Sequence, residues 1–216
     1  MDALKGLVDL FIHLDHHLSE ILARYGTWTY LILFGIIFAE TGLVFTPFLP
    51  GDSLLFAAGA LSGRDDSPLS VGVLFLLLSV AAILGDTANY AIGHFAGKRI
   101  VARGWVNPKH LDKTHAFFEK YGGKTIVLAR FVPIVRTFAP FVAGLGAMTY
   151  GKFVLYNISG GLAWVAICLF SGFFFGRIPV VQENFTLVLL GIIFVSVLPA
   201  VFEVWKHRSA ASRADA

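Results

Sequence analysis

LARFVPIVRTFAPFVAGLG, residues 128–146, is an almost wholly apolar stretch of the kind found inside membranes. It nevertheless contains two arginines, Arg130 and Arg136, and two prolines, Pro133 and Pro140. An arginine at the bilayer centre costs about 2.5–3.5 kcal/mol, and a proline inside a helix costs about 3 kcal/mol unless its missing hydrogen bond is replaced. We therefore interpret the stretch as a broken segment that lines a cavity and presents two positive charges.

The composition of the whole chain is that of an integral membrane protein. Hydrophobic residues make up 56% of the 216 residues, charged residues only 14%, and the mean hydropathy is +0.74. Soluble domains carry roughly 25% charged residues. One membrane domain covering residues 1–216 is predicted, without a secretory signal peptide, because Asp2, Asp9 and Asp15 interrupt the N-terminal segment.

The first sixty residues predict two different elements. Residues 4–25 place apolar side chains at three- and four-residue steps, which indicates an amphipathic helix in the membrane interface. Residues 28–61 are apolar over more than the roughly 20 residues that one span needs. Glu40 and the sequence Pro50-Gly51-Asp52 interrupt them, so two half-helices joined by a turn are predicted.

Residues 69–97 predict the first full membrane span. Its second half carries a stripe of small residues suited to close helix packing: Gly85, Asn89, Gly93 and Gly97. Asp86 and Tyr90 lie beside this stripe. An aspartate inside a membrane is a candidate functional residue, although a structural hydrogen bond between helices explains it equally well.

The distribution of basic residues predicts the topology. Basic residues outnumber acidic ones in residues 98–124 and in the tail, 206–216, which places both regions in the cytoplasm. Three apolar segments lie between them: 125–149, 153–176 and 185–205. Three crossings would leave the tail outside, whereas two keep it in the cytoplasm. Residues 125–149 are therefore predicted to enter and leave on the cytoplasmic side as a re-entrant loop.

The chain also predicts an internal repeat. Tyr25-Gly26 precedes the first broken segment and Tyr121-Gly122 the second, and Glu40 and Arg136 each lie fourteen residues after the glycine. At the other end of each unit, GHFAGKRI at 93–100 resembles GFFFGRI at 172–178. The predicted repeats cover about 4–99 and 107–178.

A repeat unit with one net crossing inverts the orientation of its copy. The predicted fold is therefore an all-α integral membrane protein. It contains an inverted repeat of amphipathic helix, re-entrant helical hairpin and transmembrane helix, plus a C-terminal transmembrane helix at 185–205. Inverted repeats with broken helices that meet near the midplane are typical of alternating-access transporters.

Motifs along nearly the whole chain resemble the bacterial DedA family, which shares a domain with the eukaryotic lipid scramblases of autophagy. The motifs, in order, are Glu40, Pro47 followed by FLPGD at 48–52, GDxxxYxxGxxxG at 85–97, RFxPxxRxxxP at 130–140, and Ala143-Gly144. The resemblance implies an inner-membrane protein with two facing re-entrant loops. It also implies translocation of undecaprenyl phosphate, or a related polyprenyl phosphate, back to the cytoplasmic leaflet, with dependence on the proton motive force. Some members of the family are tied instead to drug and alkaline-pH tolerance.

The residues that the resemblance marks as essential are Glu40, Asp52, Arg130 and Arg136. Arginine offers phosphate a planar fork of donors and keeps its charge at any working pH, so both arginines are predicted to bind the lipid phosphate. The carboxylates are predicted to neutralise the arginines in the empty site and to take up protons when phosphate displaces them. The alternative is that both pairs are static salt bridges. Supporting roles are assigned to Pro50, Gly51, Asp86, Tyr90, Pro133 and Pro140.

Other function classes fit the residues less well. An enzyme is not predicted, because no nucleophile and base occur at a suggestive spacing, and no catalytic residue, metal site or cofactor is assigned. The alternative function is a proton-coupled antiporter for small cations or drugs, which paired arginines would disfavour by repelling the cargo. The predicted partners are a polyprenyl phosphate lipid, protons and membrane lipids, without nucleic acid, and a homodimer is left open.

Overall fold

A computed structural model of the chain describes residues 24–42, 51–65, 67–104, 108–185, 187–188 and 190–192. The regular structure of these residues is entirely helical. The helices are α1 (Thr29–Gly42), α2 (Gly51–Ser62), α3 (Val71–Ala102), α4 (Pro108–Tyr121), α5 (Thr125–Ala129), α6 (Pro133–Val142), α7 (Tyr150–Phe175) and α8 (Pro179–Glu183). Residues 4–23 of the predicted amphipathic helix at 4–25, most of the predicted last span at 185–205, and the tail lie outside the described residues.

Two helices are long and apolar enough to cross a membrane. They are α3, with 32 residues, and α7, with 26 residues. At about 1.5 Å per residue both exceed the roughly 30 Å hydrocarbon core of a bilayer. They confirm the long apolar helices predicted at 69–97 and 153–176, and α3 continues as far as Ala102.

The first broken segment consists of two short helices on either side of residues 43–50, which lie outside the described part of the chain. With 14 residues in α1 and 12 in α2, each helix is shorter than the ~20 residues that a span needs. Because α2 begins at Gly51, Asp52 lies in its first turn. A carboxylate is favourable there, since the N-terminal end of a helix carries partial positive charge.

The second broken segment contains the two arginines. The helical pattern stops after α5 and resumes at Pro133, which occupies the first position of α6, where its missing N–H is not needed. Pro140 lies inside α6, and a π-helical turn at Ala143–Ala147 follows. Gly146, within this turn, has a φ of +124°, a conformation that favours glycine. The predicted break is therefore present, whereas its re-entry on the cytoplasmic side stays a prediction.

Both broken segments are entered through the same turn. Gly26 and Gly122 have φ values of +52° and +57°, and the preceding Tyr25 and Tyr121 have φ values of −110° and −114°. A short 3-10 turn begins at each glycine and leads directly into α1 or α5. The local match that the sequence predicted between these positions is thus a match of backbone conformation.

The short helices pack on the long ones through glycines that also match in pairs. A Cβ on any of four glycines would overlap a backbone carbonyl oxygen of the facing helix. The contacts are Gly59 with Leu169, Gly172 with Phe56, Gly93 with Phe141, and Gly144 with Tyr90. Each glycine lies three residues after the residue in its own segment that contributes a carbonyl to these contacts. The pairs are Phe56 and Gly59, Leu169 and Gly172, Tyr90 and Gly93, and Phe141 and Gly144. The contact between α2 and α7 therefore has the same glycine pattern as the contact between the end of the second broken segment and α3. The inverted orientation of the repeats stays a prediction.

Candidate functional site

The two broken segments meet at Arg136, on α6. Its Nη2 donates a hydrogen bond to Glu40 Oε1 at 2.9 Å, and its Nη1 donates to Asp52 Oδ1 at 3.0 Å. The side chains are 14% exposed for Arg136, 7% for Glu40 and 28% for Asp52. One guanidinium therefore bridges the two carboxylates that the sequence singled out, each at one side of the interruption between α1 and α2.

Trp164, on α7, packs against this ion pair network. Its indole N–H donates to Asp52 Oδ1 at 2.7 Å. The guanidinium carbon of Arg136 lies 4.1 Å from the centroid of the indole ring, within the range of a cation–π interaction. The whole residue is buried, with 1% of its surface exposed. Trp164 thus contacts both charges of the same pair.

Arg130 belongs to a second ion pair. Its Nη2 donates to Asp86 Oδ2 at 2.5 Å and to Asn157 Oδ1 at 2.7 Å. The Asn157 amide in turn donates to the backbone carbonyl of Ile83 at 3.0 Å. Because α3 carries Asp86 and α7 carries Asn157, Arg130 fastens the break between α5 and α6 to both long helices.

This arrangement corrects one expectation. The sequence predicts that Glu40 and Asp52 neutralise both arginines, whereas the ion pairs that both carboxylates form within the described part of the chain are with Arg136. Arg130 is neutralised by Asp86, to which the sequence assigns only a supporting role. The physical reason is the position of Arg130, which lies on the other side of the α5–α6 break and faces α3 and α7. The two arginines remain linked, since Arg130 also lies 5.7 Å from the Trp164 ring centroid.

Asn89, on α3, holds the two broken segments in register. Its amide nitrogen donates to the carbonyl of Thr41 at 3.3 Å and to that of Thr137 at 3.0 Å. These threonines follow Glu40 and Arg136 directly, so each lies fifteen residues after the glycine of its turn. A single buried amide therefore fixes the relative positions of the residues that carry the opposite charges.

The buried cluster has a formal surplus of negative charge. Two arginines and three carboxylates, on Glu40, Asp52 and Asp86, give 2 − 3 = −1. An uncompensated charge away from water is costly, and one bound proton makes the cluster neutral. Glu40 Oε2 is buried without a hydrogen-bond partner among the described residues.

The remaining predicted residues take different positions. The Gly51 N–H donates to Glu40 Oε1 at 3.3 Å, which places it in the cluster. Tyr90 instead donates its hydroxyl to the Met148 carbonyl at 3.1 Å and stacks on Phe153, so it fastens the end of the second broken segment. Pro50 lies outside the described residues.

The sequence interpretation missed Asn157 and Trp164, and it counted Asn89 only as a small residue. An available signal was the seven-residue spacing of Asn157 and Trp164, which places both on one face of a helix. Polar groups inside membrane helices are rare and are often functional. The sequence prediction overlooked these two residues because it treated 153–176 as a uniformly apolar span.

Comparison with known proteins identifies the family of this chain. Residues 49–174 match the VTT domain. The chain is 53% identical to Protein DedA of Escherichia coli strain K12, with 99% of both chains covered. This chain belongs to the DedA family. The family resemblance predicted from the motifs is therefore confirmed.

Two further relatives are less similar to this chain. An uncharacterised membrane protein of Mycobacterium tuberculosis strain H37Rv is 44% identical over 83% of this chain and 82% of its own. The inner membrane protein YqjA of Escherichia coli strain K12 is 36% identical over 70% of this chain and 69% of its own. No solved structure matches the chain. The VTT domain match includes every cluster residue except Glu40, which precedes it by nine positions.

Proposed function

We propose that this protein is a flippase that returns undecaprenyl phosphate, or a related polyprenyl phosphate carrier lipid, to the cytoplasmic leaflet of the bacterial inner membrane. The transport serves cell-envelope synthesis and depends on the proton motive force. The observation that carries the proposal is the guanidinium of Arg136, held between two carboxylates where the broken segments meet. A phosphate offers the same fork the same kind of oxygen ligands.

The order in which the two arginines bind phosphate follows from how exposed their side chains are. The Arg136 side chain is 14% exposed and that of its partner Asp52 28%, against 3% for Arg130 and 7% for Asp86. An incoming phosphate therefore displaces Asp52 from Arg136 first. Arg130 is the second predicted phosphate ligand, and it becomes available only when Asp86 releases it.

Charge balance links the phosphate to protons. The empty cluster carries a formal charge of −1, and a phosphate monoester with two negative charges would take it to −3. Protons on Glu40 and Asp52 return it to −1. Lipid entry therefore favours proton uptake by the displaced carboxylates. Moving lipid and protons together towards the cytoplasm lets the proton motive force drive the step.

The access route follows from the predicted topology. The segments that carry Glu40 and Arg136 open from opposite faces of the membrane, with the C-terminus in the cytoplasm. The matching entry turns and the paired glycine contacts support an inverted repeat. A site between two inverted halves is exposed to each face in turn when one half moves against the other.

The alternative function is a proton-coupled antiporter for small cations or drugs. The surplus carboxylate of the cluster favours it, because a bound cation would neutralise the charge of −1. The two arginines weigh against it, since a cation must approach Glu40 or Asp52 beside Arg136. The two functions differ in which ligand, a phosphate lipid or a cation, stabilises the purified protein against heat.

Leaflet exchange of a labelled lipid tests the proposal. Proteoliposomes that contain fluorescent polyprenyl phosphate should show exchange only with the protein, and faster exchange under an imposed pH gradient. Arg136→Ala should abolish both exchange and binding of the lipid while the protein stays folded. The matched control is Arg64→Ala, because Arg64 is exposed on the loop after α2. Absence of exchange under any gradient, or unchanged binding by Arg136→Ala, would contradict the proposal.

A further inference from the structure

Two carboxylate oxygens in the cluster are held by the same kind of donor arrangement. Glu40 Oε1 accepts from Arg136 Nη2 and from the Gly51 N–H, at 2.9 and 3.3 Å. Asp52 Oδ1 accepts from Arg136 Nη1 and from the indole N–H of Trp164, at 3.0 and 2.7 Å. Four N–H donors therefore converge on two oxygens, and these oxygens belong to different residues of one broken segment.

The same four donors suit two oxygens of a single phosphate. Arginine binds phosphate through two parallel N–H bonds, and the structure directs both Nη atoms of Arg136 to the two carboxylate oxygens. The Gly51 N–H opens the twelve-residue helix α2, where the backbone donors and the helix dipole favour anions. Glu40 Oε1 and Asp52 Oδ1 thus occupy the positions at which these donors would bind two phosphate oxygens.

Gly51 is also the residue type that this arrangement requires. A Cβ at Gly51 would overlap the carboxyl group of Glu40. The absence of a side chain lets an oxygen approach the amide, and the space now taken by the Glu40 carboxyl becomes available when that group moves away.

We propose that Trp164 and Gly51 are phosphate-binding residues that complete the Arg136 site. Once Glu40 and Asp52 are displaced, the indole N–H and the Gly51 N–H donate to the phosphate oxygens beside the guanidinium. The ligand class is a phosphate monoester, and a prenyl alcohol gains nothing from these donors. This proposal rests on the proposed function and adds its selectivity.

Trp164→Phe separates the hydrogen bond from the ring. The variant keeps an aromatic face under Arg136 and loses the N–H that donates to Asp52. We expect farnesyl phosphate to bind the purified full chain at least about 10-fold more weakly, the usual effect of losing one hydrogen bond to a charged group. Binding of farnesol should not change. The matched control is Trp28→Phe, because Trp28 is 68% exposed.

Gly51→Ala provides a second, independent variant. The added methyl group should obstruct the amide and weaken farnesyl phosphate binding without weakening farnesol binding. Its control is Gly35→Ala, because a Cβ at Gly35 meets no heavy atom within 4 Å. Since this change lies on α2 and not on α7, it keeps the proposal testable if Trp164→Phe does not fold.

The outcomes distinguish the two proposals. Wild-type affinity for farnesyl phosphate in both Trp164→Phe and Gly51→Ala would overturn the present inference and leave the flippase proposal standing. An equal loss of farnesol and farnesyl phosphate binding would make these residues structural and would also overturn it. If inorganic phosphate competes as strongly as farnesyl phosphate, the phosphate site is supported and the lipid cargo is refuted. If the wild-type protein binds none of these probes, both proposals fail.

Discussion

Asp86→Asn is expected to destabilise the protein strongly, because it leaves the charge of Arg130 buried. The two side chains are 7% and 3% exposed and lie 2.5 Å apart. Removing one partner of such a buried pair typically lowers the free energy of unfolding by about 3–5 kcal/mol. An asparagine can still accept a hydrogen bond from Arg130, as Asn157 does, so the loss should lie near 3 kcal/mol, which corresponds to more than about 100-fold in the unfolding equilibrium.

A double-mutant cycle isolates the charge interaction. Arg130→Gln combined with Asp86→Asn removes both charges and keeps amide groups that can pair with each other and with Asn157. The double variant should therefore be more stable than the sum of the single losses predicts. A coupling energy of about 2–3 kcal/mol is expected, the upper part of the range for residues in direct contact.

The assay is reversible unfolding of the purified protein in micelles, followed by circular dichroism. Asp65→Asn is the matched control, because Asp65 is exposed on the loop after α2 and its change should stay within about 0.5 kcal/mol. Equal stability of Asp86→Asn and Asp65→Asn would refute the buried pair. Strict additivity of the two single losses would refute the coupling.

Two further predictions concern packing and ligand geometry. Gly172→Ala should lower the unfolding temperature by several degrees, because its Cβ would overlap the Phe56 carbonyl. The control Gly35→Ala should be neutral or stabilising, because a Cβ there meets open space. Equal thermal shifts in the two variants would contradict the close contact of α2 and α7. Arg136→Lys should keep the charge but lose the two parallel hydrogen bonds to Glu40 and Asp52. Lipid phosphate binding in this variant should weaken at least about 10-fold, and binding as tight as in the wild type would show that charge alone suffices.

Sequence reasoning located the elements well where the signal is local. The two spans follow from long apolar runs, and the break near Pro133 follows from a residue that cannot continue a helix. The entry turns at Gly26 and Gly122 were recognised as equivalent because the same short pattern precedes both broken segments. Each of these conclusions depends on residues that are contiguous in the sequence.

Pairing of the charges could not be predicted in the same way. Arg130 and Arg136 are six residues apart on one broken segment, and the sequence treats them alike. Their partners lie 44 residues away for Asp86 and 84 and 96 residues away for Asp52 and Glu40. The direction in which each guanidinium points depends on the chain path through the α5–α6 break and on which long helix faces it.

The sequence by itself determined that the chain lies in a membrane, that two segments are broken, and that opposite charges occur in them. These properties follow from the cost of placing charges and prolines among apolar residues, and that cost is set by the residues themselves. Only the tertiary structure decided that Arg136 joins Glu40 to Asp52 over Trp164, while Arg130 is held by Asp86 and Asn157. A buried charge is stable only beside a group that compensates it, and helix packing determines which group that is.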